Sequence, residues 1–397
     1  MFRIAGRIAQ MEESATLRMA HRARQMRQSG ADVINLSLGE PDFDTPEFIV
    51  EAAIKSLRSG ATKYTPVAGN QELREAIRDK FLRDNNISYS IDELMVSCGA
   101  KQCFANLCFA LLEEGDEAVM LAPYWVSYFE IVKLTGAQPV VVQSSVENNY
   151  KPDLKDLRKA LNSRTKLFVF STPCNPTGTV FSEADLRAMA ELFAEYPDVL
   201  VISDEIYEYI QFGTNHFSIA SFPGMKERCA TINGFSKGFA MTGWRLGYMG
   251  APRPIIEACV KIQGQFTSGA ASFSQEAATL ALRSDLTETY KMRDAYELRR
   301  DHLLEQLKSI PAFRLNQPQG AFYVLPEVSD FFGKRYKDVQ IKDAEDFALF
   351  LLAEAHVAVV NGIAFGAPQC IRISYSISEE RITEAVERIR KALALLH

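Results

Sequence analysis

The sequence lacks any apolar run long enough to cross a membrane. A membrane-spanning helix needs about 20 consecutive apolar residues, and no stretch of the 397 residues approaches that length. The first 30 residues alternate arginine with apolar residues and include Glu12 and Glu13, so they have neither the apolar core nor the cleavage site of a signal peptide. The acidic pair also argues against a transit peptide. We therefore predict a protein that does not associate with a membrane.

Excess positive charge and a metal-binding cysteine pattern are also missing. A net charge of −6 gives no basic surface for nucleic acid or anionic lipid. The seven cysteines are odd in number and include no C-x-x-C pair, so neither a disulfide framework nor a metal site is indicated. Cys98, Cys103 and Cys108 are five residues apart, which directs them to different faces of a helix. We interpret the cysteines as small buried side chains and predict a reducing, cytoplasmic location.

What is present is the composition of a globular protein with two domains. The chain is 47% hydrophobic and 24% charged, as ordinary globular proteins are, and it is too long for one small core. Short apolar, β-branched runs alternate with helical patterns, which favours an α/β sheet of mostly parallel strands covered on both faces. The predicted strands are residues 94–97, 118–121, 139–143, 167–171, 200–203 and 230–233.

Two helix starts and a change of pattern refine this prediction. Thr45-Pro46-Glu47 has the form of an N-cap, a first-turn proline and an acid. Ser182 and Asp185 have the spacing of a capping box. After about residue 275 the chain changes to a long charged helix, two strand-like pieces and a C-terminal amphipathic helix. This pattern predicts a smaller α+β domain, with the N-terminal segment packed against it.

The stretch from Asn233 to Tyr248, NGFSKGFAMTGWRLGY, says most about chemistry. It follows a predicted strand and is rich in glycine, serine and threonine, so we interpret it as a loop at the edge of the sheet. It places Ser236 nine residues and Lys237 eight residues before Arg245. Nearby cations depress the pKa of a lysine that forms an imine, and an arginine can hold a phosphate with two hydrogen bonds. Taken alone, however, a lysine between serine and glycine is usually only solvated.

Polar residues also follow the ends of other predicted strands. Asp204 follows one strand directly, where an acid either points into the ligand crevice of an α/β protein or caps the next segment. Asn175 lies among the turn residues that close a second strand. Gly99 separates a third strand from an apolar helix, whose free N–H groups are suited to a phosphate. Arg372 lies in an otherwise apolar strand pattern, so we expect a carboxylate from a substrate or from the chain itself to pair with it.

Together these motifs resemble the class I, fold-type I pyridoxal-phosphate-dependent aminotransferases over essentially the whole chain. The bacterial aspartate aminotransferases are the most similar, through PYWVSY and AMTGWR. One departure is Cys174, where many relatives carry asparagine. In chain order the motifs are GEPDF at 39–43, Lys63-Tyr64, GAKQ at 99–102, PYW at 123–125, NPTG at 175–178, DEIY at 204–207, Ser236-Lys237 with Arg245, and Ile371-Arg372.

The resemblance implies the architecture. A large cofactor-binding α/β domain, with a mostly parallel seven-stranded sheet flanked by helices, would span residues 45–290. Residues 1–44 and 291–397 would form the smaller α+β domain. The family also implies closure of the segment 36–45 over the site and cis peptide bonds before Pro123 and Pro176.

The resemblance also implies how the cofactor, pyridoxal 5'-phosphate, is bound. Lys237 would form the internal aldimine and later move the proton from Cα to C4′, while Asp204 would keep the pyridine nitrogen protonated. Trp125 would stack on the ring, although it could be a core aromatic. The other implied cofactor contacts are Asn175 and Tyr207 at the ring O3′, Gly99, Ala100, Lys101, Ser236 and Arg245 around the phosphate, and Tyr64 from the second subunit of a homodimer.

For the substrate, the resemblance implies a two-carboxylate site. Arg372 would bind the α-carboxylate with the Gly39 backbone and Asn175, beside Trp125. Lys101, assisted by the segment from Ser14 to Thr16, would bind a distal carboxylate; the alternative, which we favour less, is a solvated first-turn residue. The implied reaction is ping-pong transfer of the amino group of L-aspartate to 2-oxoglutarate. Dual aspartate/prephenate activity, an aminotransferase for aromatic or other amino acids, and a lyase on the same scaffold remain open. A DNA-binding regulator is disfavoured because no basic helix-turn-helix pattern precedes the fold.

Overall fold

The structure, a computed structural model, describes residues 2–9, 11, 15–213 and 215–397. Its centre is a seven-stranded sheet, which is surrounded by helices. The strands are β1 (Leu94–Ser97), β2 (Glu117–Leu121), β3 (Gln138–Val142), β4 (Thr165–Ser171), β5 (Leu200–Asp204), β6 (Cys229–Gly234) and β7 (Gly247–Gly250). The helices are α1 (Gly6–Ala9), α2 (Ala15–Gln28), α3 (Glu47–Arg58), α4 (Gln71–Asn85), α5 (Ala100–Leu111), α6 (Val126–Thr135), α7 (Leu154–Ala160), α8 (Glu183–Ala194), α9 (Arg253–Phe266), α10 (Ser272–Arg283), α11 (Thr287–Leu307), α12 (Ala344–Phe350) and α13 (Glu379–Leu393).

The sheet has the order β1-β7-β6-β5-β4-β2-β3 and confirms the predicted α/β class. All neighbouring strands are parallel except β7, which runs antiparallel to both β1 and β6. The strands are almost wholly buried because helices cover both faces. One face packs against α5, α6 and α9, and the other against α3, α4, α8 and α10.

Strand β7 corrects the sequence interpretation, which had the whole segment 233–248 as a loop. The strand is short and has glycine at both ends, so it carries little β-propensity of its own. Pairing on both sides with β1 and β6 makes it a strand. Gly247 is needed there because a Cβ atom would lie 2.3 Å from the backbone nitrogen of Ala100. The N-terminus of α5 therefore approaches the sheet directly.

The two predicted helix starts have different outcomes. The Ser182–Asp185 capping box at α8 is confirmed. The Thr45 cap is wrong, because α3 begins at Glu47 without a side-chain cap. The Thr45 hydroxyl instead donates to the carbonyl of Ala240 at 2.7 Å and accepts from the indole of Trp244 at 3.0 Å. It thus joins the segment before α3 to the chain after β6.

A second hydrophobic core lies outside the seven-stranded sheet. It is built from α2, α11, α12 and α13, and α13 buries Ile382, Ala385, Val386 and Ile389 as its amphipathic pattern predicts. A π-helical turn, Leu351–Ala355, continues α12. The short strands of this region are Ile34–Asn35 paired with Val357–Ala358, the antiparallel set Val360–Asn361, Ile371–Ser374 and Tyr323–Val324, and the hairpin Arg335–Tyr336 with Val339–Gln340.

Three remaining features bear on the sequence predictions. All seven cysteines are free, and all except the half-buried Cys98 are buried, which confirms their interpretation as packing residues. The peptide bonds before Pro123 and Pro176 are cis as predicted, and so is the bond before Pro173. No helix in the described part of the chain combines the length and the apolar character that crossing a bilayer requires.

Candidate active site

A cavity of about 460 Å³ lies where β4, β5 and β6 end. The carboxyl ends of parallel strands meet at one edge of a sheet, so the polar residues that follow each strand converge there. Gly99 and Tyr64 are the only predicted site residues that do not line this cavity, while Ser14 is outside the described residues. The predicted residues that line it are Thr16, Gly39, Ala100, Lys101, Trp125, Asn175, Asp204, Tyr207, Ser236, Lys237, Arg245 and Arg372.

Asp204 ends strand β5 and is buried at the base of the cavity. Its Oδ2 accepts a hydrogen bond from the Tyr128 hydroxyl at 2.5 Å, and its Oδ1 accepts one from the Ile206 N–H at 3.2 Å. Burial raises the pKa of Asp204 to about 6, although both hydrogen bonds act in the opposite direction. This carboxylate is therefore mostly ionised at neutral pH but protonates at a much higher pH than an ordinary aspartate, and a cationic ligand atom would stabilise its charge.

Lys237 follows strand β6 and lines the same cavity as Asp204. Its Nζ donates to the Gly39 carbonyl at 2.6 Å and lies 5.7 Å from the ring centre of Tyr207. Burial lowers the pKa of Lys237 to about 8, with a smaller contribution from the nearby arginines Arg372 and Arg245. Such an amine is partly neutral at physiological pH, as a nucleophile and base must be.

The depressed pKa of Lys237 predicts how its reactivity depends on pH. Only the neutral amine is acylated, so labelling of the apoenzyme with acetic anhydride should rise with a midpoint near pH 8 at Lys237. The midpoint is read by mass spectrometry of the peptide that contains the residue. The same peptide in the unfolded chain is the control and should titrate near 10.5, the value of an unburied lysine. Equal midpoints in the folded and unfolded chains would contradict the burial argument.

An anion-binding arrangement lies at the N-terminus of α5. Gly99 has a φ of +90°, and a Cβ atom there would lie 2.4 Å from Nη2 of Arg245, so only glycine allows this approach. Arg245 is held by its Nη1, which donates to the Thr242 carbonyl at 2.8 Å. The buried Ser236 lines the cavity beside it. A guanidinium beside the free N–H groups of a helix N-terminus suits a phosphate.

Lys101, in the first turn of α5, lies between this arrangement and Trp125. Its Nζ is 5.0 Å from the centre of the Trp125 ring, a cation–π distance. Burial and the charge of Arg245 both lower the pKa of Lys101. Much of the Lys101 side chain is exposed to solvent, while its ammonium lies against the Trp125 ring and lines the cavity.

Arg372 is a buried cation without an acidic partner in the described part of the chain. It is only 2% exposed, and its two Nη atoms donate to Oδ1 of Asn175 at 3.0 Å and to the Ser37 carbonyl at 2.7 Å. Its Nε has no hydrogen-bond partner. The rings of Tyr323 and Phe365 lie 4.6 and 5.0 Å away. The intramolecular salt bridge left open by the sequence is thus absent among the described residues, and a ligand carboxylate would satisfy this cation.

Two tyrosines of the cavity were not predicted. Tyr128 contacts Asp204 and lies in the quoted PYWVSY motif, three residues after Trp125, a spacing that puts both near one face of α6. The Tyr323 hydroxyl lies 2.8 Å from the Tyr207 hydroxyl and would be 2.7 Å from a Cβ at Gly39. Nothing in the sequence distinguishes Tyr323 from an ordinary aromatic of a buried strand.

A buried cluster of charges lies next to the site. Oxygens of Glu205 and Glu208 and a ring nitrogen of His216 are within 4.8 Å of one another, a spacing that could hold a metal ion. Lys80, however, forms a buried salt bridge with Glu208, and Asn85 donates to both acids. The Lys80 ammonium thus already pairs with one of the two acids, and the hydrogen bonds of Asn85 join the cluster to the end of α4.

The comparison with known families decides what kind of protein this is. Residues 31–389 match the family model described as "Aminotransferase class I and II". The chain belongs to this family. The aminotransferase is 44% identical, over 99% of its own length and 83% of the relative's, to the "Bifunctional aspartate aminotransferase and glutamate/aspartate-prephenate aminotransferase" of Petunia hybrida. It is 42% identical to the "Probable aspartate/prephenate aminotransferase" of Aquifex aeolicus over 98% of both chains.

Solved structures agree with this assignment and with the predicted fold type. The aspartate aminotransferase of Rhizobium meliloti superimposes with a TM-score of 0.96 at 39% identity, covering all of both chains. The Thermus thermophilus aspartate aminotransferase, solved with maleate, gives a TM-score of 0.93 at 40% identity, covering 99% of this chain and all of that one. The predicted resemblance to fold-type I aminotransferases is confirmed.

The cavity of this aminotransferase fits pyridoxal phosphate, the cofactor of the family. The Arg245 guanidinium, which lies against Gly99 because glycine has no Cβ there, offers a cation for a phosphate at the N-terminus of α5. Buried Asp204, which has no described salt-bridge partner, offers a place for a cationic ring nitrogen. Lys237, with its lowered pKa, is an amine able to react with an aldehyde.

Proposed function

We propose that this aminotransferase moves the amino group of L-aspartate to 2-oxoglutarate by a ping-pong reaction at Lys237. Besides Lys237 and Arg245, which are assigned to the cofactor, two further cations, Arg372 and Lys101, line the cavity, and this pair supports a dicarboxylate substrate. Arg372 has no acidic partner among the described residues, and the Lys101 ammonium lies against the Trp125 ring. Each would be stabilised by one carboxylate of the substrate.

Individual residues have distinct roles in holding the cofactor. Asp204 would pair with the ring nitrogen, and Trp125 would cover the ring. The phosphate would be held by Gly99, Ala100, Ser236 and Arg245, with Lys101 beside them, while Asn175 and Tyr207 would donate to the ring hydroxyl. When bound, pyridoxal phosphate supplies an aldehyde that accepts the amino group and a cationic ring that withdraws electrons from the substrate.

Lys237 is both the attachment point of the cofactor and the base of the reaction. Its pKa of about 8 leaves enough neutral amine to take the proton from the substrate Cα at physiological pH. The Gly39 carbonyl, which accepts a hydrogen bond from the free amine at 2.6 Å, would orient Nζ once substrate has released it from the cofactor. Arg372, supported by Asn175, orients the substrate through its α-carboxylate, so that the Cα proton faces the amine.

Lys101 and Thr16 line the part of the cavity proposed for the distal carboxylate. The names of the relatives support an acidic substrate, since those from Petunia hybrida and Aquifex aeolicus both include aspartate. The same two names include prephenate, which also carries a second carboxylate. Activity on prephenate is therefore a second candidate for this enzyme.

The proposed reaction is tested by its first half. Titrating the holoenzyme with L-aspartate alone should bleach the absorption of the bound cofactor, and 2-oxoglutarate should then restore it. Alanine and aromatic amino acids, titrated separately, should require at least about tenfold higher concentrations because they leave Lys101 without a partner. Ammonia release from aspartate in the absence of an oxo acid would indicate a lyase instead. Bleaching by prephenate-derived arogenate would establish the second candidate.

Replacing Lys101 by alanine tests the distal-carboxylate site. Lys101→Ala should raise the KM for aspartate by about tenfold, because the ammonium that lines the cavity would no longer pair with the distal carboxylate. The KM for alanine, which has no distal carboxylate, should change little. An equal rise for both substrates would show that Lys101 supports the cofactor or the fold rather than substrate choice.

Three wider features complete the proposal. We infer a large domain of residues 45–290 that closes against residues 1–44 and 291–397, since the cavity is lined from both parts.

Tyr64 is 97% exposed and does not line the cavity of its own chain, which supports a homodimer in which it reaches the phosphate site of the neighbouring subunit. Seven unpaired cysteines favour a reducing compartment such as the cytoplasm.

A further inference from the structure

Tyr128 is the side chain most closely tied to Asp204. It lies in the first turn of α6, and its hydroxyl donates to Oδ2 of Asp204 at 2.5 Å. Trp125 packs against its ring edge-to-face at 5.4 Å, and the Phe104 ring lies 4.7 Å away at a tilt. The Tyr128 ring is almost completely buried, so this packing leaves the hydroxyl one orientation toward the end of β5.

No other described side chain donates a hydrogen bond to Asp204, whose second contact is the backbone N–H of Ile206 at 3.2 Å. Burial keeps the pKa of Tyr128 well above its usual value, so the phenol remains a donor throughout the working pH range. Its hydrogen bond lowers the pKa of Asp204 against the effect of burial. The titratable groups whose charge bears on Asp204 are Tyr128, Glu205, Lys237, Cys103, Cys174 and Tyr207.

We propose that Tyr128 is a positioning residue that keeps Asp204 ionised and in one orientation, so that its charge is available to the cofactor ring nitrogen. The inference rests on the proposed role of Asp204. A buried carboxylate whose pKa is already raised to about 6 needs only a small further rise in pKa to become substantially protonated at neutral pH. Without the one side-chain donor that the described residues give it, a larger fraction of Asp204 would be protonated at neutral pH, and it would stabilise a cationic ring less.

The substitution Tyr128→Phe removes the hydroxyl and keeps the ring that packs against Trp125 and Phe104. We expect the pH midpoint of the absorption change of the bound cofactor to rise by about one pH unit, because a ring nitrogen without its proton withdraws fewer electrons. Dissociation of the cofactor from the holoenzyme should become about tenfold faster, since a hydrogen bond to a charged group is lost. Both are measured by absorbance.

The matched control is Tyr150→Phe, which also removes a buried hydroxyl; this one donates to the Leu325 carbonyl at 2.9 Å and lies 3.3 Å from Sγ of Cys370. Tyr150 does not line the cavity. This variant should keep the wild-type midpoint and dissociation rate. Thermal unfolding of both apoenzymes shows whether each substitution leaves the fold intact. A midpoint in Tyr128→Phe that stays at the wild-type value, or falls, overturns the proposal.

Asp204→Asn separates a failure of this inference from a failure of the proposed site. If Asp204→Asn leaves the midpoint unchanged, the role of Asp204 is wrong and that of Tyr128 falls with it. If Asp204→Asn moves the midpoint and Tyr128→Phe does not, only the role of Tyr128 is overturned. In the double variant, the effect of Tyr128→Phe should disappear, because the hydroxyl acts through the charge of Asp204. An undiminished effect there would show that the hydroxyl acts elsewhere.

Discussion

Lys237→Ala is expected to lower kcat by about 10⁴-fold or more, because no other group can replace both the amine that carries the cofactor and the base that moves the proton. Among the described residues, Lys101 is the only other lysine that lines the cavity. Lys101 lies instead above the Trp125 ring. The loss is measured as kcat with aspartate and 2-oxoglutarate at saturating concentrations.

The control for Lys237→Ala is Lys308→Ala, which removes an exposed lysine near the end of α11, outside the cavity. It should retain full activity. Reduction of the wild-type holoenzyme with borohydride, followed by digestion and mass spectrometry, should find the cofactor on the peptide that contains residue 237. An adduct on another lysine, or more than about 1% of wild-type kcat in Lys237→Ala, would contradict the assignment.

Arg372→Lys is expected to lower kcat/KM by about 10³-fold for every amino acid, whether or not it has a distal carboxylate. A guanidinium offers a planar fork that can bind Asn175, the Ser37 carbonyl and a carboxylate at once, whereas an ammonium acts as a point charge. A 10³-fold loss corresponds to about 4 kcal/mol of transition-state stabilisation, which is the size expected for a desolvated ion pair. The ratio is measured for aspartate and for alanine.

Comparison with Lys101→Ala distinguishes the proposed α-carboxylate site from the proposed distal-carboxylate site. Arg372→Lys should affect aspartate and alanine alike, and Lys101→Ala should affect aspartate alone. Arg300→Lys is the matched control, since Arg300 is also a buried arginine, bonded to the Pro318 carbonyl at 3.1 Å, but does not line the cavity. A loss restricted to aspartate in Arg372→Lys would move the distal carboxylate to this residue and reverse the proposed orientation of the substrate.

The sequence predicted most of the site because its residues lie in short motifs that end apolar strands. Each motif carries its own signal, as in the glycine before α5 or the aspartate after β5, and parallel strands place such ends together. The sequence did not predict the contacts that join segments far apart in the chain. Thr45 has the form of a helix cap, yet it bonds to Ala240 and Trp244, some 200 residues away in the chain.

By itself, the sequence determined the α/β class, the family and the residues able to perform the chemistry, because periodicity and motif order are local properties of the chain. Only the tertiary structure made Gly247–Gly250 a strand, since its partners lie on both sides and its own propensity is weak. Only the tertiary structure joined Tyr128 to Asp204 across 76 residues of chain. The tertiary structure also decided the pKa values of Asp204 and Lys237, because the burial of a group depends on what packs around it and not on its neighbours in sequence.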